Sequence, residues 1–274
     1  MGLKIDDQAF HASLFRTAVM ERALGAEFIH GRTVVFSTAA PGSNGVNEDA
    51  VAVIACGPQS GILAVADGLG GGPEGEQASR IAVETLQEQV LQYQGDCDQL
   101  REVILSAIEV ANEKIIALGG GAGTTLSVVE LHGSWARTYH AGDSMVLVTG
   151  QRGKIKLQTV SHAPVSYAME AGLLDESEAI GHSDRHLVSN VLGANDLRIE
   201  MGSKMRLAMK DTLLVASDGL WDNFYTEEII ERIRKGPLHK AAAGLVQEST
   251  QRMAHPRDGE PSKVDDLSFI LYRL

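Results

Sequence analysis

Residues 62–71 read Ile-Leu-Ala-Val-Ala-Asp-Gly-Leu-Gly-Gly. The apolar start of this segment is typical of a buried strand, and Asp67 stands at its end. A carboxylate at the end of a buried strand is costly unless it is solvated, hydrogen-bonded or bound to a cation. Asp67-Gly68 taken alone is more typical of a turn than of a ligand, so its meaning depends on the rest of the chain.

Four further short acidic clusters are spread along the chain. They are Asn47-Glu48-Asp49, Ala141-Gly142-Asp143-Ser144, Ser217-Asp218-Gly219-Leu220-Trp221-Asp222 and Val264-Asp265-Asp266-Leu267-Ser268. A strand-like run precedes Asp218 and another follows Asp265, as one precedes Asp67. Convergence of several such strand ends would create an all-oxygen site that suits hard divalent metals.

The composition is that of an ordinary soluble globular protein. The 274 residues, 44% hydrophobic and 22% charged, suffice for one domain or for one domain with an appendage. The net charge of -12 argues against nucleic acid and anionic membrane as partners, because both need basic patches. No apolar run could cross a bilayer and the N-terminus does not resemble a secretion signal, so we expect a cytoplasmic protein.

The two cysteines, Cys56 and Cys97, offer neither a framework of pairs nor metal-ligand spacing. We therefore expect both to be reduced thiols.

Patterns along the chain predict blocks of strands and helices. Apolar spacing predicts an amphipathic helix over residues 6–24, within an N-terminal extension (1–32) that packs on the main domain (33–274) or on a partner. Strand signals follow, then helices from about residue 76 to 93 and after residue 98, then more strands. Residues 161–200 are polar and irregular, which favours a lid. This block order fits an α+β layered sandwich better than a parallel βαβ sheet.

The acidic clusters, in this order, together with Gly123-Thr124-Thr125, resemble the motifs of the metal-dependent protein phosphatase family, the protein phosphatase 2C-like enzymes. The resemblance covers about residues 33–274, and the Asp-Gly-Leu-Gly-Gly form is similar to that of bacterial members. It implies a four-layer αββα sandwich of two antiparallel sheets flanked by helices.

The resemblance also implies roles for the acidic residues. Asp67, Asp218 and Asp265 would be the catalytic carboxylates, with Asp67 bridging two cations. The complete set of implied metal-binding residues is Asp67, Gly68, Asp218, Asp265, Asp143, Glu48, Asp49 and Asp222. Glu48 and Asp49 would act through waters around the ions. Asp143, Asp218 and Asp222 match the place of a third, weaker ion.

The implied chemistry is hydrolysis of phosphoserine or phosphothreonine in a protein substrate by a water that a pair of Mn²⁺ or Mg²⁺ ions activates. Carboxylates alone do not distinguish the two metals. Two alternatives stay open: a non-catalytic pseudophosphatase that regulates a partner, and a phosphatase dedicated to one regulatory protein.

Three positions depart from the family pattern or extend it. Asn44 stands where relatives commonly use an arginine to grip the substrate phosphate, and it brings neither the charge nor the bidentate fork. Leu69 stands where many eukaryotic relatives have a histidine. His162 matches the histidine of a lid-region motif, and it either approaches the substrate or lies on the surface. The expected substrate contacts are therefore Asn44 and His162.

Overall fold

The computed structural model describes residues 12–43, 46–69, 73–185 and 187–274. The strands in these ranges are β1 (Ala12–Arg16), β2 (Leu24–Phe28), β3 (Gly31–Thr38), β4 (Asp49–Cys56), β5 (Ser60–Leu69), β6 (Gly123–Thr124), β7 (Leu126–His132), β8 (Trp135–Ala141), β9 (Met145–Thr149), β10 (Ile155–Gln158), β11 (Glu200–Met201), β12 (Met205–Arg206), β13 (Thr212–Ala216) and β14 (Leu267–Arg273).

The helices are α1 (Pro73–Gln92), α2 (Leu100–Leu118), α3 (Pro164–Glu170), α4 (Glu176–Ile180), α5 (Asp218–Trp221), α6 (Thr226–Ile233) and α7 (Leu238–Ala254), with a 3₁₀ turn at Cys97–Gln99. The two long helices predicted after β5 are thus confirmed as α1 and α2. In the described part of the chain, no helix has the length and apolar character needed to cross a bilayer.

Two antiparallel sheets form the centre of the protein. The first has the strand order β1-β4-β5-β7-β8-β11, with β6 paired to β5 and β12 to β8. The second has the order β10-β9-β13-β14-β3-β2. One apolar core joins the first sheet to α1 and α2, another joins the second sheet to α5, α6 and α7, and a third lies between the sheets. The predicted four-layer αββα sandwich is confirmed.

Strand β5 shows how the sequence produces these layers. Successive side chains of a strand point to opposite faces of its sheet. Ile62, Ala64 and Ala66 accordingly belong to the core beneath the helices, whereas Leu63 and Val65 belong to the core between the sheets. A strand buried on both faces reads as a continuous apolar run, and its polar end at Asp67 marks where the core stops.

The predicted helix over residues 6–24 is wrong for the residues that the structure describes. Residues 12–16 form β1, which pairs with β4, and residues 24–28 form β2, which pairs with β3. The apolar spacing imitates a helix face, but the open edge of β4 supplies non-local backbone hydrogen bonds that make an extended conformation favourable. A partner that requires a helix therefore has none to bind within residues 12–32. The domain division at residue 32 stays a prediction, although the segment before it contributes a strand to each sheet.

Cys56 and Cys97 form a disulfide, so the expectation of reduced thiols is wrong. Cys56 ends β4, and Cys97 begins the 3₁₀ turn that leads into α2. Folding brings their Cα atoms to 5.7 Å, within the range that a disulfide spans. Sequence spacing did not reveal the pair, because 41 positions separate the two residues and only the docking of the α1–α2 hairpin on the first sheet joins them.

The segment proposed as a lid contains α3 and α4, close to the helical pieces predicted near Ala168 and Glu176. Val165 is the buried residue of α3 and Ala179 that of α4. Both helices are therefore held by few core contacts, which suits a segment of low local stability. The role of residues 161–200 as a lid stays a prediction.

Candidate metal centre and active site

The first sheet brings two of the predicted acidic residues face to face. Asp49 at the start of β4 lies directly opposite Asp67 near the end of β5. At Gly68 a Cβ atom would lie 2.3 Å from the carbonyl oxygen of Gly75 and 2.8 Å from that of Glu48. Only glycine fits there, and the backbone beside Asp67 can approach its neighbours closely.

The second sheet supplies two more carboxylates. Asp218 begins α5 directly after β13, and Asp265 lies in the loop that enters β14. The two strands are neighbours, and their ends are joined by the hydrogen bond that the Ser217 N–H donates to the Ser268 carbonyl oxygen at 3.0 Å. Asp143 comes from the turn between β8 and β9, where the chain passes from the first sheet to the second.

The mutual electrostatic effects of these residues show that they converge. Burial raises the pKa of Asp67 well above its usual range, and the charges of Asp49, Asp218, Asp265 and Asp143 raise it further. Burial, followed by the charge of Asp218, raises the pKa of Asp143 to about 8. Carboxylates buried within reach of one another repel, so a cluster of this kind is stable in its charged form only beside cations.

Asp49 carries an oxygen atom that suits a further partner. Its Oδ2 accepts a hydrogen bond from the Ser217 hydroxyl at 2.8 Å. Its Oδ1 is buried and, among the described residues, has no hydrogen-bond partner. Burial and then the charge of Asp266 raise the pKa of Asp49 well above its usual range. This orphaned oxygen and the close-fitting Gly68 backbone make the donor set fit the divalent metal that the resemblance implies.

Asp266 holds the loop that carries Glu48. Its Oδ2 accepts a hydrogen bond from the Glu48 N–H at 2.6 Å, and its Oδ1 accepts one from the Ala40 N–H at 2.7 Å. The Gly68 N–H in turn donates to the Glu48 carbonyl oxygen at 3.2 Å. The sequence alone does not single out Asp266, because only the fold shows that its two oxygens face backbone donors rather than the other carboxylates.

Lys263 lies among the candidate metal-binding carboxylates, a position that sequence reasoning missed. Its Nζ lies 2.9 Å from Oδ2 of Asp265 and 3.3 Å from Oδ2 of Asp222, and it also contacts Oδ2 of Asp218. Although burial opposes the charged form, these three carboxylates raise the pKa of Lys263 above its usual range. The available signal was a basic residue two positions before Asp265.

A cavity of about 100 Å³ lies between the carboxylates and the helices α3 and α4. Its lining includes Asp143, Asp218, Asp222, Trp221 and Arg185. The Arg185 Nε lies 4.0 Å from Oδ2 of Asp222. Nothing in the sequence around Arg185 distinguishes it from other scattered arginines, yet the fold places it beside Asp222 in the lining of this cavity.

His162 is buried rather than exposed, so the surface alternative is wrong. Its Nδ1 accepts hydrogen bonds from the Gly142 N–H at 3.0 Å and from the Asn190 side-chain amide at 2.9 Å. Its Nε2 therefore carries the proton and faces Oε2 of Glu200 at 3.3 Å. The histidine links Asn190 to the turn before Asp143, and its role as a substrate contact stays a prediction.

His140, His162 and Glu200 also form a candidate metal-binding group, because their ligand atoms lie within 4.8 Å of one another. The two imidazole rings are stacked, with centroids 4.6 Å apart and planes at 15°. In this structure the three residues interact with one another, because His162 stacks on His140 and faces Glu200.

Asn44 lies outside the described residues, so its role as a phosphate contact stays a prediction. The Glu48 side chain lies close to the backbone at the start of α1, since a Cβ on Gly75 would come within 2.3 Å of its Oε2. The structure thus brings together Asp49, Asp67, Asp143, Asp218, Asp222 and Asp265, with Gly68 and Glu48 at the edge of the same group.

Comparison with known proteins agrees with this geometry. A family model described as protein phosphatase 2C matches residues 38–257. The chain belongs to the protein phosphatase 2C family. Protein phosphatase PhpP of Streptococcus pneumoniae (serotype 2, strain D39) is 32% identical over 176 residues, which are 61% of this chain and 70% of PhpP. The chain is thus an enzyme of the protein phosphatase class.

Solved structures share the fold of this protein phosphatase 2C member. The serine/threonine phosphatase of S. agalactiae has a TM-score of 0.77 and 24% identity, over 89% of this chain and all (100%) of that one. The catalytic domain of the serine/threonine phosphatase PstP, in complex with two manganese ions, has a TM-score of 0.72 and 23% identity, over 89% of this chain and 97% of that one. At these identities the likeness concerns the sandwich fold.

Proposed function

We propose that this protein hydrolyses phosphoserine and phosphothreonine in protein substrates, with two divalent cations held by its converging carboxylates. The observation that carries the proposal is the burial of Asp67 among Asp49, Asp143, Asp218 and Asp265, four like charges that raise its pKa. Such a cluster destabilises the metal-free protein, and bound cations would neutralise its charges.

The ligand roles follow from position. Asp67 and the Gly68 carbonyl from the first sheet, with Asp218 and Asp265 from the second, would hold the two ions. Bound divalent cations supply a water of lowered pKa as nucleophile and a clamp on the phosphoryl oxygens. The oxygen donors suit Mn²⁺ or Mg²⁺, and a relative in complex with two manganese ions supports a pair.

Surrounding residues would orient the reacting groups. Asp49, held by the Ser217 hydroxyl, and Glu48, held by Asp266, would fix waters beside the ions. Asp143 and Asp222 line the adjacent cavity, where a third ion would be bound more weakly. Arg185 brings a guanidinium to this cavity. There it could form the charged, bidentate contact with a phosphoryl group that Asn44 is unable to make. Residues 161–200 would cover the site as a lid.

The test is a phosphatase assay on purified full-length protein with a phosphothreonine peptide. Mn²⁺ or Mg²⁺ should support hydrolysis and excess EDTA should abolish it. Asp67→Asn and Asp265→Ala should each reduce kcat by at least about 100-fold, as loss of a group that stabilises the transition state does. Asp258→Asn, at an exposed aspartate outside the segment proposed as a lid, is the matched control and should be fully active.

The second candidate is a pseudophosphatase that binds phosphoprotein without cleaving it, and Asn44 favours it because the usual arginine is missing. Under that function the protein binds Mn²⁺ and phosphopeptide but has no turnover with any metal. Under hydrolysis, Asn44→Arg should lower the KM for phosphopeptide with little change in kcat. An unchanged KM would show that Asn44 does not limit phosphate binding.

A further inference from the structure

Lys263 places a positive charge inside the acidic pocket. Its ammonium group contacts Asp218, Asp222 and Asp265, and the lysine side chain is only 21% exposed. Asp218 and Asp265 are the carboxylates that the second sheet contributes to the proposed pair of cations, and Asp222 belongs to the place of the third. A single side chain therefore occupies the oxygen atoms on which those cations would depend.

The backbone of Lys263 is fixed in a way that keeps its side chain in the pocket. Asn223 is fully buried, its Oδ1 accepts a hydrogen bond from the Lys263 N–H at 3.1 Å, and its Nδ2 donates to the Lys263 carbonyl oxygen at 2.8 Å. The neighbouring Ser262 is held by Arg252 and Arg185, since its hydroxyl donates to the Arg252 carbonyl oxygen and its own carbonyl oxygen accepts from Arg185. The backbone at Lys263 is therefore held in place, and the side chain is the part that can move.

From this geometry we infer that Lys263 is a tethered competitor of the divalent cation at Asp218 and Asp265. In metal-free protein its ammonium neutralises these carboxylates. A divalent cation must displace it, because two positive groups cannot share the same oxygen atoms at about 3 Å without strong repulsion. The inference rests on the proposed metal site and adds its regulation.

The competition acts on one side of the site. Among the described residues, the ion pairs of Lys263 are with Asp218, Asp222 and Asp265, and Asp67 is not one of them. The cation bound through Asp67 and Gly68 alone would meet less competition. Occupancy should therefore be stepwise, with the second ion requiring a higher metal concentration, and that concentration would set the threshold at which the complete centre forms.

A Mn²⁺ titration followed by electron paramagnetic resonance of free Mn²⁺ tests the inference without using activity. Wild type, Lys263→Met and Lys240→Met are compared as full-length proteins. Methionine keeps the length of the side chain and removes the charge, and Lys240 is an exposed lysine of α7 that controls for the change in net charge. Lys263→Met should bind its weaker Mn²⁺ ion at least about tenfold more tightly, which is about 1.4 kcal/mol, whereas Lys240→Met should match wild type.

A second measurement needs no variant, so it decides the matter if Lys263→Met does not fold. Wild-type protein is treated with an acetylating N-hydroxysuccinimide ester with and without saturating Mn²⁺, and the peptide containing Lys263 is quantified by mass spectrometry. Saturation with Mn²⁺ should increase acetylation of Lys263 severalfold and leave Lys240 unchanged.

The outcomes separate the inference from the proposed function. Equal Mn²⁺ affinities in wild type and Lys263→Met, or equal acetylation of Lys263 with and without Mn²⁺, overturn the competition alone. If none of the three proteins binds Mn²⁺, the metal site itself is refuted and the competition with it. Tighter binding by Lys263→Met, together with Mn²⁺-dependent acetylation in wild type, supports both.

Discussion

Replacing Asp143 with asparagine should stabilise the metal-free protein, even though it alters the candidate active site. Asp143 is 8% exposed, and burial followed by the charge of Asp218 raises its pKa from 3.8 to about 8. Asparagine has almost the same shape and carries no charge at any pH. The Asp143→Asn variant therefore removes the cost of the buried charge and leaves the packing in place.

The sign and size of the effect follow from proton linkage. Between pH 3.8 and about 8 the native state holds the Asp143 proton more tightly than the unfolded state does. The contribution of this proton to the free energy of unfolding is therefore fully present below that range and is lost as the pH rises through it. A rise of about four pKa units corresponds to about 6 kcal/mol above pH 8, and to about 4 kcal/mol at pH 7. The increase in the free energy of unfolding of Asp143→Asn should thus be near zero at pH 4 and between about 1 and 4 kcal/mol at pH 7. The range extends below 4 kcal/mol because the charges of neighbouring carboxylates are coupled to that of Asp143.

Urea denaturation monitored by circular dichroism in EDTA, at several pH values between 4 and 8, measures this gain. Asp196→Asn, an exposed aspartate, is the control and should follow wild type at every pH. Saturating Mn²⁺ should shrink the advantage of Asp143→Asn, because bound cations neutralise the same cluster. A difference in unfolding free energy that does not grow with pH, or a variant less stable than wild type at pH 7, would refute the reasoning.

Three further predictions concern stability and are measured by urea or thermal unfolding. Gly219→Ala should cost about 3 kcal/mol, because its Cβ would lie 1.8 Å from the Asp266 carbonyl oxygen, whereas Gly244→Ala, whose Cβ meets nothing within 4 Å, should be neutral or stabilising; equal effects would contradict the close contact. Cys97→Ser should lower stability by up to about 4 kcal/mol by releasing a loop of 41 residues, and reductant should destabilise wild type but not the variant. Asp266→Ala should cost about 2 kcal/mol or more by leaving two backbone N–H groups without their carboxylate, and unchanged stability would show that these bonds are replaced by water.

Local patterns predicted the parts of the fold that depend on local physics. The periodic faces of α1 and α2 are visible in the sequence because a helix buries residues at fixed spacing. The acidic clusters at strand ends were also visible, since a carboxylate such as Asp67 at the end of an apolar run is costly without a partner. The resemblance of these ordered clusters to the family's motifs then implied the sandwich and the residues that meet in the pocket.

The errors arose where contacts distant in sequence determine the structure. β1 has the apolar spacing of a helix, and pairing with β4 outweighs that preference. The disulfide depends on how the α1–α2 hairpin docks on the first sheet. Lys263 and Arg185 have the sequence context of ordinary surface cations. Both contact Asp222, which is distant from each of them in sequence. The pairing of β1 and the disulfide have no local pattern by which they could be recognised, and the position of Lys263 two residues before Asp265 gains its meaning only from the fold.

The candidate centre draws Asp67 from one sheet and Asp218 with Asp265 from the other. A protein in which the two sheets have not packed together would present only part of the donor set. Incompletely folded molecules are therefore expected to be inactive. Cations held by carboxylates of both sheets would also oppose movement of one sheet relative to the other. Phosphatase activity would therefore report whether the two sheets have packed correctly against each other.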